Sequence, residues 1–82
     1  MKQAEVLVKL QELFDGIFLE KVVARPELSA ADVEEWDSLM QISLVIAVEQ
    51  KFCVRFRVGE AETARNLGEF ADLIAKRIEP KS

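Results

Sequence analysis

The stretch Trp36-Asp37-Ser38-Leu39-Met40-Gln41-Ile42-Ser43-Leu44-Val45-Ile46-Ala47-Val48-Glu49-Gln50-Lys51-Phe52 decides the fold. Asp37 carries a short carboxylate suited to accept bonds from the free amides of a first helical turn. Beyond it, Leu39, Ile42, Val45, Ile46 and Phe52 predict a core-facing stripe, which Leu44 and Val48 widen. Strongly polar interruptions, Glu49 and Gln50, fall only near the end. A helix starting at Asp37 or Ser38 and apolar over so much of its circumference belongs at the centre of a bundle.

Toward the N-terminus, Val6, Leu7, Leu10, Leu13, Phe14, Ile17 and Phe18 recur at three- and four-residue steps, predicting an amphipathic helix from Ala4 to about Glu20. Gly16 weakens that helix by about 1 kcal/mol relative to alanine without ending it. Pro26 bars a helix from running on and biases Arg25 to an extended shape. Residues Lys21–Trp36 therefore read as a long connection, with a short helical turn around Ser29–Val33. Toward the C-terminus, Cys53–Val58 alternates like a strand, but a lone six-residue strand has no pairing partner, so an extended loop is expected. Gly59 opens a short helical turn through Glu60–Ala64. A last helix runs from a cap at Asn66 to Ile78, burying Leu67, Phe70, Ala71, Ile74 and Ile78, and Pro80 ends it. The expected fold is all-α: one domain over residues 1–82, a small four-helix bundle of three long helices and one short.

Composition removes several functions. The 82 residues include no His, one Cys (Cys53), no Tyr and one Trp. A Ser-His-Asp or Cys-His nucleophile lacks its base, and a zinc site lacks its usual ligands. One Cys forms no internal disulfide, and no basic-then-apolar leader opens the chain, so a cytoplasmic protein is expected. No apolar run approaches the roughly 20 residues of a membrane span. The net charge of −4 argues against a nucleic-acid binder. That charge is uneven. Residues 1–25 are balanced, residues 26–50 hold six acids (Glu27, Asp32, Glu34, Glu35, Asp37, Glu49) and no base, and residues 51–82 carry a small positive excess. Such a segment is either a solvated acidic loop or a docking face for basic partners.

At Trp36-Asp37-Ser38-Leu39 a purely structural account leaves one residue over. Asp37 caps the helix, Leu39 joins the apolar stripe and Trp36 packs against the loop, whereas Ser38 has no structural task. Its hydroxyl stands beside free backbone amides at the positive end of a helix dipole, a place that favours an anion. Asp37-Ser38-Leu39, followed by Ile42, Leu44-Val45-Ile46, Glu49 and Phe52, resembles the acyl carrier protein (phosphopantetheine-binding) family, and the resemblance extends over nearly the whole chain.

The resemblance implies that Ser38 receives a 4′-phosphopantetheine arm from coenzyme A, delivered by a Mg²⁺-dependent phosphopantetheinyl transferase, with Asp37 helping to present the serine. It implies a non-catalytic carrier with no catalytic residue and no metal of its own. An acyl- or aminoacyl-loading ligase or transferase and downstream synthase or tailoring enzymes would be its partners. Leu39, Ile42 and Ile46 match positions that contact partner enzymes in that family, although they equally fit a core stripe. Trp36 and Met40 complete the implied docking set. Glu49 fits either an acidic helix face or a merely solvated carboxylate.

Three features set the chain apart from fatty-acid carriers. Glu35 and Trp36 precede the motif, Met40, Gln41 and Ser43 stand where acids are usual, and Arg55 and Arg57 follow the helix. The run Val33–Leu39 is similar to free-standing carriers of dedicated polyketide, nonribosomal-peptide or modified-acyl pathways. Fatty-acid synthesis is the alternative subtype. An unmodified helical interaction module of the same fold is the main rival function, and an enzyme relying on carboxylates alone is the weaker one. Cys53, between Phe52 and Val54, reads as a small buried apolar residue. With no apolar stripe expected to be left over, a monomer is expected.

Overall fold

A computed structural model describes residues 2–57 and 59–78. Three helices form: α1 (Gln3–Ile17), α2 (Ser38–Phe52) and α3 (Leu67–Ile78). Two 3₁₀ turns, Ala30–Asp32 and Ala61–Thr63, lie in the connections, and no strand is present among the described residues. The short fourth element is thus a single turn, and the backbone of 54–57 is loop, as expected. Pro80, the expected stop of α3, lies outside the described residues.

Helix α1 ends at Ile17, earlier than the apolar spacing suggested. Phe18 turns to an extended conformation while its N–H still bonds to the Phe14 carbonyl. The amides of Leu19 and Glu20, which a continuing helix would give to Asp15 and Gly16, go instead to the Glu35 carboxylate at 3.0 and 3.2 Å. Phe18 nevertheless completes the buried row Val6, Leu10, Phe14, Phe18 at four-residue steps.

The long first connection is held down at both ends. The Gln11 side chain accepts from the Ala24 amide and donates to the Val22 carbonyl, both at 2.8 Å. Farther on, the carbonyls of Leu28 and Pro26 accept the first amides of α3, those of Leu67 at 2.7 Å and Gly68 at 2.8 Å. These are donors that a helix N-terminus leaves unsatisfied within itself. A Cβ on Gly68 would lie 3.1 Å from both the Pro26 Cβ and its carbonyl oxygen, so glycine lets the loop approach. Val22 and Leu28 are buried in the same cluster as the helices.

Two expectations about side-chain placement are overturned. The core face of α2 is Leu44, Val48 and Phe52, whereas Leu39, Ile42 and Ile46 point outward at 73%, 57% and 50% exposure. An apolar stripe is therefore left over, against the expectation behind the monomer reading. At 100° per residue the two apolar sets lie about 160° apart on the helix, so the pattern has no single inward direction. Cys53 is exposed, not buried. It ends α2 in the left-handed conformation, φ 57°, and this turn sends Val54 into the core while its own side chain faces solvent.

Candidate functional site

The site is built around the start of α2. Asp37 has an extended backbone, and its Oδ1 accepts the Met40 amide at 2.8 Å, satisfying one first-turn donor. Ser38 is the first helical residue and is exposed. Its own amide and that of Leu39 find no acceptor among the described residues, and the first turn carries no acid. Two N–H groups without an acceptor and the positive end of the helix dipole thus lie in the same turn as the Ser38 hydroxyl, an environment that favours an anion. An open groove runs from Ser38 past Gln41 and Ile42 and is walled by Ala30, Trp36 and Glu62. Exposed hydroxyl, free amides and an unobstructed groove suit a covalently attached phosphodiester and the chain that would follow it.

Trp36 fixes the approach to this turn. Its ring meets Phe14 edge-on with centroids 5.7 Å apart and lies 5.8 Å from Phe18. Its indole N–H donates to Gln41 Oε1 at 2.7 Å, so the side chain spans Ser38 from the residue two before to the residue three after. Trp36 and Met40, both expected at a docking face, are half-buried and packed against the core. Leu39, Ile42 and Ile46 are the members of that set that stand free, on the side of α2 turned from the core.

The acidic middle third is largely internal bookkeeping of hydrogen bonds. Asp32 accepts from the amide and hydroxyl of Ser29 at 3.1 and 3.2 Å, Glu35 holds the end of α1, and Asp37 caps α2. Glu49 is half-buried and its Oε2 accepts the Phe56 amide at 2.9 Å, tying the loop after α2 back to the helix. Glu27 pairs with Arg25 at 3.4 Å. The Asp37 cap follows from the sequence, whereas the acceptor roles of Asp32, Glu35 and Glu49 were missed there because each joins residues through a turn or loop whose path the sequence does not state. The outward stripe was open to detection, since Leu44 and Val48 lie roughly 120–160° around the helix from Ile42 and Ile46 and cannot share one face with them.

No protein-family model matches the chain. A curated acyl carrier protein from Acidothermus cellulolyticus is 30% identical over 76 residues, covering 92% of this chain and 90% of that protein. An acyl carrier protein from Thermosynechococcus vestitus is 29% identical over 79 residues, covering 95% and 98%. Among solved structures, the solution structure of a holo acyl carrier protein from Geobacter metallireducens superposes with a TM-score of 0.81 at 32% identity. That match covers 89% of this chain and 85% of that one.

Proposed function

The chain belongs to the acyl carrier protein family, and we propose that it carries its cargo on a 4′-phosphopantetheine arm attached to Ser38. The observation that carries this reading is the exposed Ser38 hydroxyl at the first position of α2, beside two amides without acceptors. Once attached, the arm supplies a terminal thiol on which acyl or aminoacyl groups travel as thioesters between partner active sites.

The chain's own part is to hold and present the serine. Ser38 Oγ is the nucleophile toward the pyrophosphate of coenzyme A. A serine O–P bond forms, a pyrophosphate P–O bond breaks, and 3′,5′-ADP leaves. The serine proton goes to a base on the phosphopantetheinyl transferase, since this chain contains no imidazole. Asp37 fixes the first turn through Met40, and Trp36 with Gln41 fixes the turn against α1. Leu39, Ile42 and Ile46 offer the contact surface for the transferase, a loading ligase or transferase, and the synthase or tailoring enzymes downstream. The protein catalyses none of these steps itself and acts where those enzymes are, in the cytoplasm.

Within the family we place the chain in a dedicated polyketide, nonribosomal-peptide or modified-acyl pathway. What supports this is the absence of acids on α2 between Leu39 and Ala47, together with Trp36 before the motif. The test is transfer from coenzyme A and Mg²⁺ by a broad-specificity transferase, read by intact mass. Wild type is expected to gain one arm of about 340 Da and Ser38→Ala none. No gain on either folded protein would overturn the carrier reading in favour of an unmodified interaction module. The modified protein is then offered to a malonyl transferase of fatty-acid synthesis. No malonyl gain is expected, and efficient transfer would move the chain to the fatty-acid subtype.

A further inference from the structure

Gln41 stands about one turn beyond Ser38 on α2, and residues at that spacing are neighbours on a helix. Long helical side chains lean back over the preceding turn, so Gln41 reaches toward Ser38. Its terminal amide has a defined orientation. The Trp36 indole nitrogen only donates, so the Gln41 atom it meets at 2.7 Å is the carbonyl oxygen Oε1, and Nε2 is left for another partner. Gln3 and Gln11 give their Nε2 groups to acceptors on their own chain, whereas Gln41 Nε2 finds none among the described residues. No buried side-chain nitrogen or oxygen there lacks a partner, so the free Nε2 of half-buried Gln41 reaches solvent.

The groove that starts at Ser38 has Gln41 in its wall. Of the other lining residues, Ala30 and Ile42 are apolar, Asp37 and Glu62 carry carboxylates that only accept, and the Trp36 N–H is already given to Gln41. No Lys or Arg lines it. Once the Ser38 hydroxyl carries a phosphodiester, Gln41 Nε2 is the one side-chain N–H of that lining left to donate. We propose that Gln41 seats the arm, its Nε2 donating to a phosphodiester oxygen on Ser38, and that Trp36 is the positioning residue that turns Gln41 to do so. The proposal rests on the carrier reading above. A hydrogen bond to an ionised acceptor is stronger than one between neutral groups, and here it offsets the two carboxylates nearby. Trp36 is itself held by Phe14 and Phe18, so the orientation it imposes on Gln41 is anchored in the core.

The full chain, labelled with ¹⁵N, is compared before and after transfer from coenzyme A. The side-chain amide signal of Gln41 is expected to move downfield on modification. Its hydrogen exchange is expected to slow by about ten-fold, as a bond to a charged acceptor does. The side-chain signals of Gln3, Gln11 and Gln50 are expected to stay in place. This comparison uses the unaltered chain, so it stands even if a variant fails to fold. Gln41→Glu keeps an oxygen for the indole and removes the donor. In that variant the indole N–H signal of Trp36 is expected to remain downfield, while the ³¹P line of the modified protein shifts and narrows as the arm loosens. Trp36→Phe keeps a ring against Phe14 and Phe18 but loses the indole N–H, and it is expected to weaken the exchange protection of Gln41. Added to Gln41→Glu, it is expected to leave the ³¹P line where it is, because the two residues act as a unit. An arm gained on Ser38 with the Gln41 signal unmoved would overturn the seat and leave the carrier reading standing. That is the result if Nε2 faces the smaller cavity beside Leu28 and Phe70 instead. A ³¹P line in modified Gln41→Glu identical with that of wild type would overturn it equally. Absence of any mass gain at Ser38 would remove the carrier reading and the seat with it.

Discussion

Cys53 occupies a position where the backbone, not the side chain, sets the requirement. Its φ of 57° is the left-handed conformation that ends α2, and the thiol is exposed, so nothing in the core depends on it. A non-glycine residue there costs roughly 1 kcal/mol relative to glycine. Cys53→Gly is therefore expected to raise the unfolding free energy by about 0.5–1 kcal/mol in urea titration, the larger unfolded-state entropy of glycine offsetting part of the gain. A loss of more than 1 kcal/mol would mean that the thiol packs. Ser38 and Asp37 were legible from local chemistry, since a cap and a superfluous hydroxyl can be recognised from four residues. Cys53 was not, because residue type alone says small and apolar while helix termination says glycine, and only the observed turn decides between them.

Helix α2 separates two kinds of apolar residue that composition treats alike. Leu44 and Val48 are fully buried, whereas Ile46 is half out of contact with protein. Leu44→Ala is expected to cost about 2–4 kcal/mol through lost transfer energy and a residual cavity. Ile46→Ser is expected to stay within about 1 kcal/mol of wild type, as surface substitutions do. Paired denaturation curves check the assignment, and equal costs would contradict it. The amphipathic stripes of α1 and α3 were readable because each has one apolar direction, and the rows from Val6 to Phe14 and from Leu67 to Ile74 are buried as expected. In α2 two opposed stripes hid which one faces inward. The early end of α1 was hidden for another reason, because the competing acceptor, Glu35, lies 15–16 residues away from the amides it takes.

Across the whole molecule, the all-α class and the order of elements followed from periodicity and breakers, while the long first connection needed tertiary contacts to find its course. Its packing explains a radius of gyration of 11.8 Å, close to the roughly 12 Å expected of a compact chain of this length. The turn before α3 is joined to that helix by Glu60, which accepts the Arg57 amide at 2.8 Å and pairs with Arg77. The Arg57 amide first, and Arg77 second, hold its carboxyl below the usual glutamate range. A depressed pKa in the folded state contributes stability that is present above the unfolded value of about 4.3 and is lost as pH falls through the folded value. Glu60→Gln is accordingly expected to destabilise modestly at pH 7 and less at about pH 3, a difference that urea titrations at the two pH values would show. The same difference at both would mean that charge plays no part. No helix among the described residues is long and apolar enough to cross a membrane.

The central claim concerns one oxygen atom among several candidates. Ser29, Ser38 and Ser43 all lie on the tryptic peptide spanning residues 22–51, since Arg25 is followed by proline. Fragmentation of that peptide after transfer from coenzyme A locates the added mass directly. The account predicts the whole gain of about 340 Da on Ser38, at the first turn of α2, and none on the other two. A gain found on Ser29 or Ser43, or a peptide left unchanged by an active transferase, would contradict it.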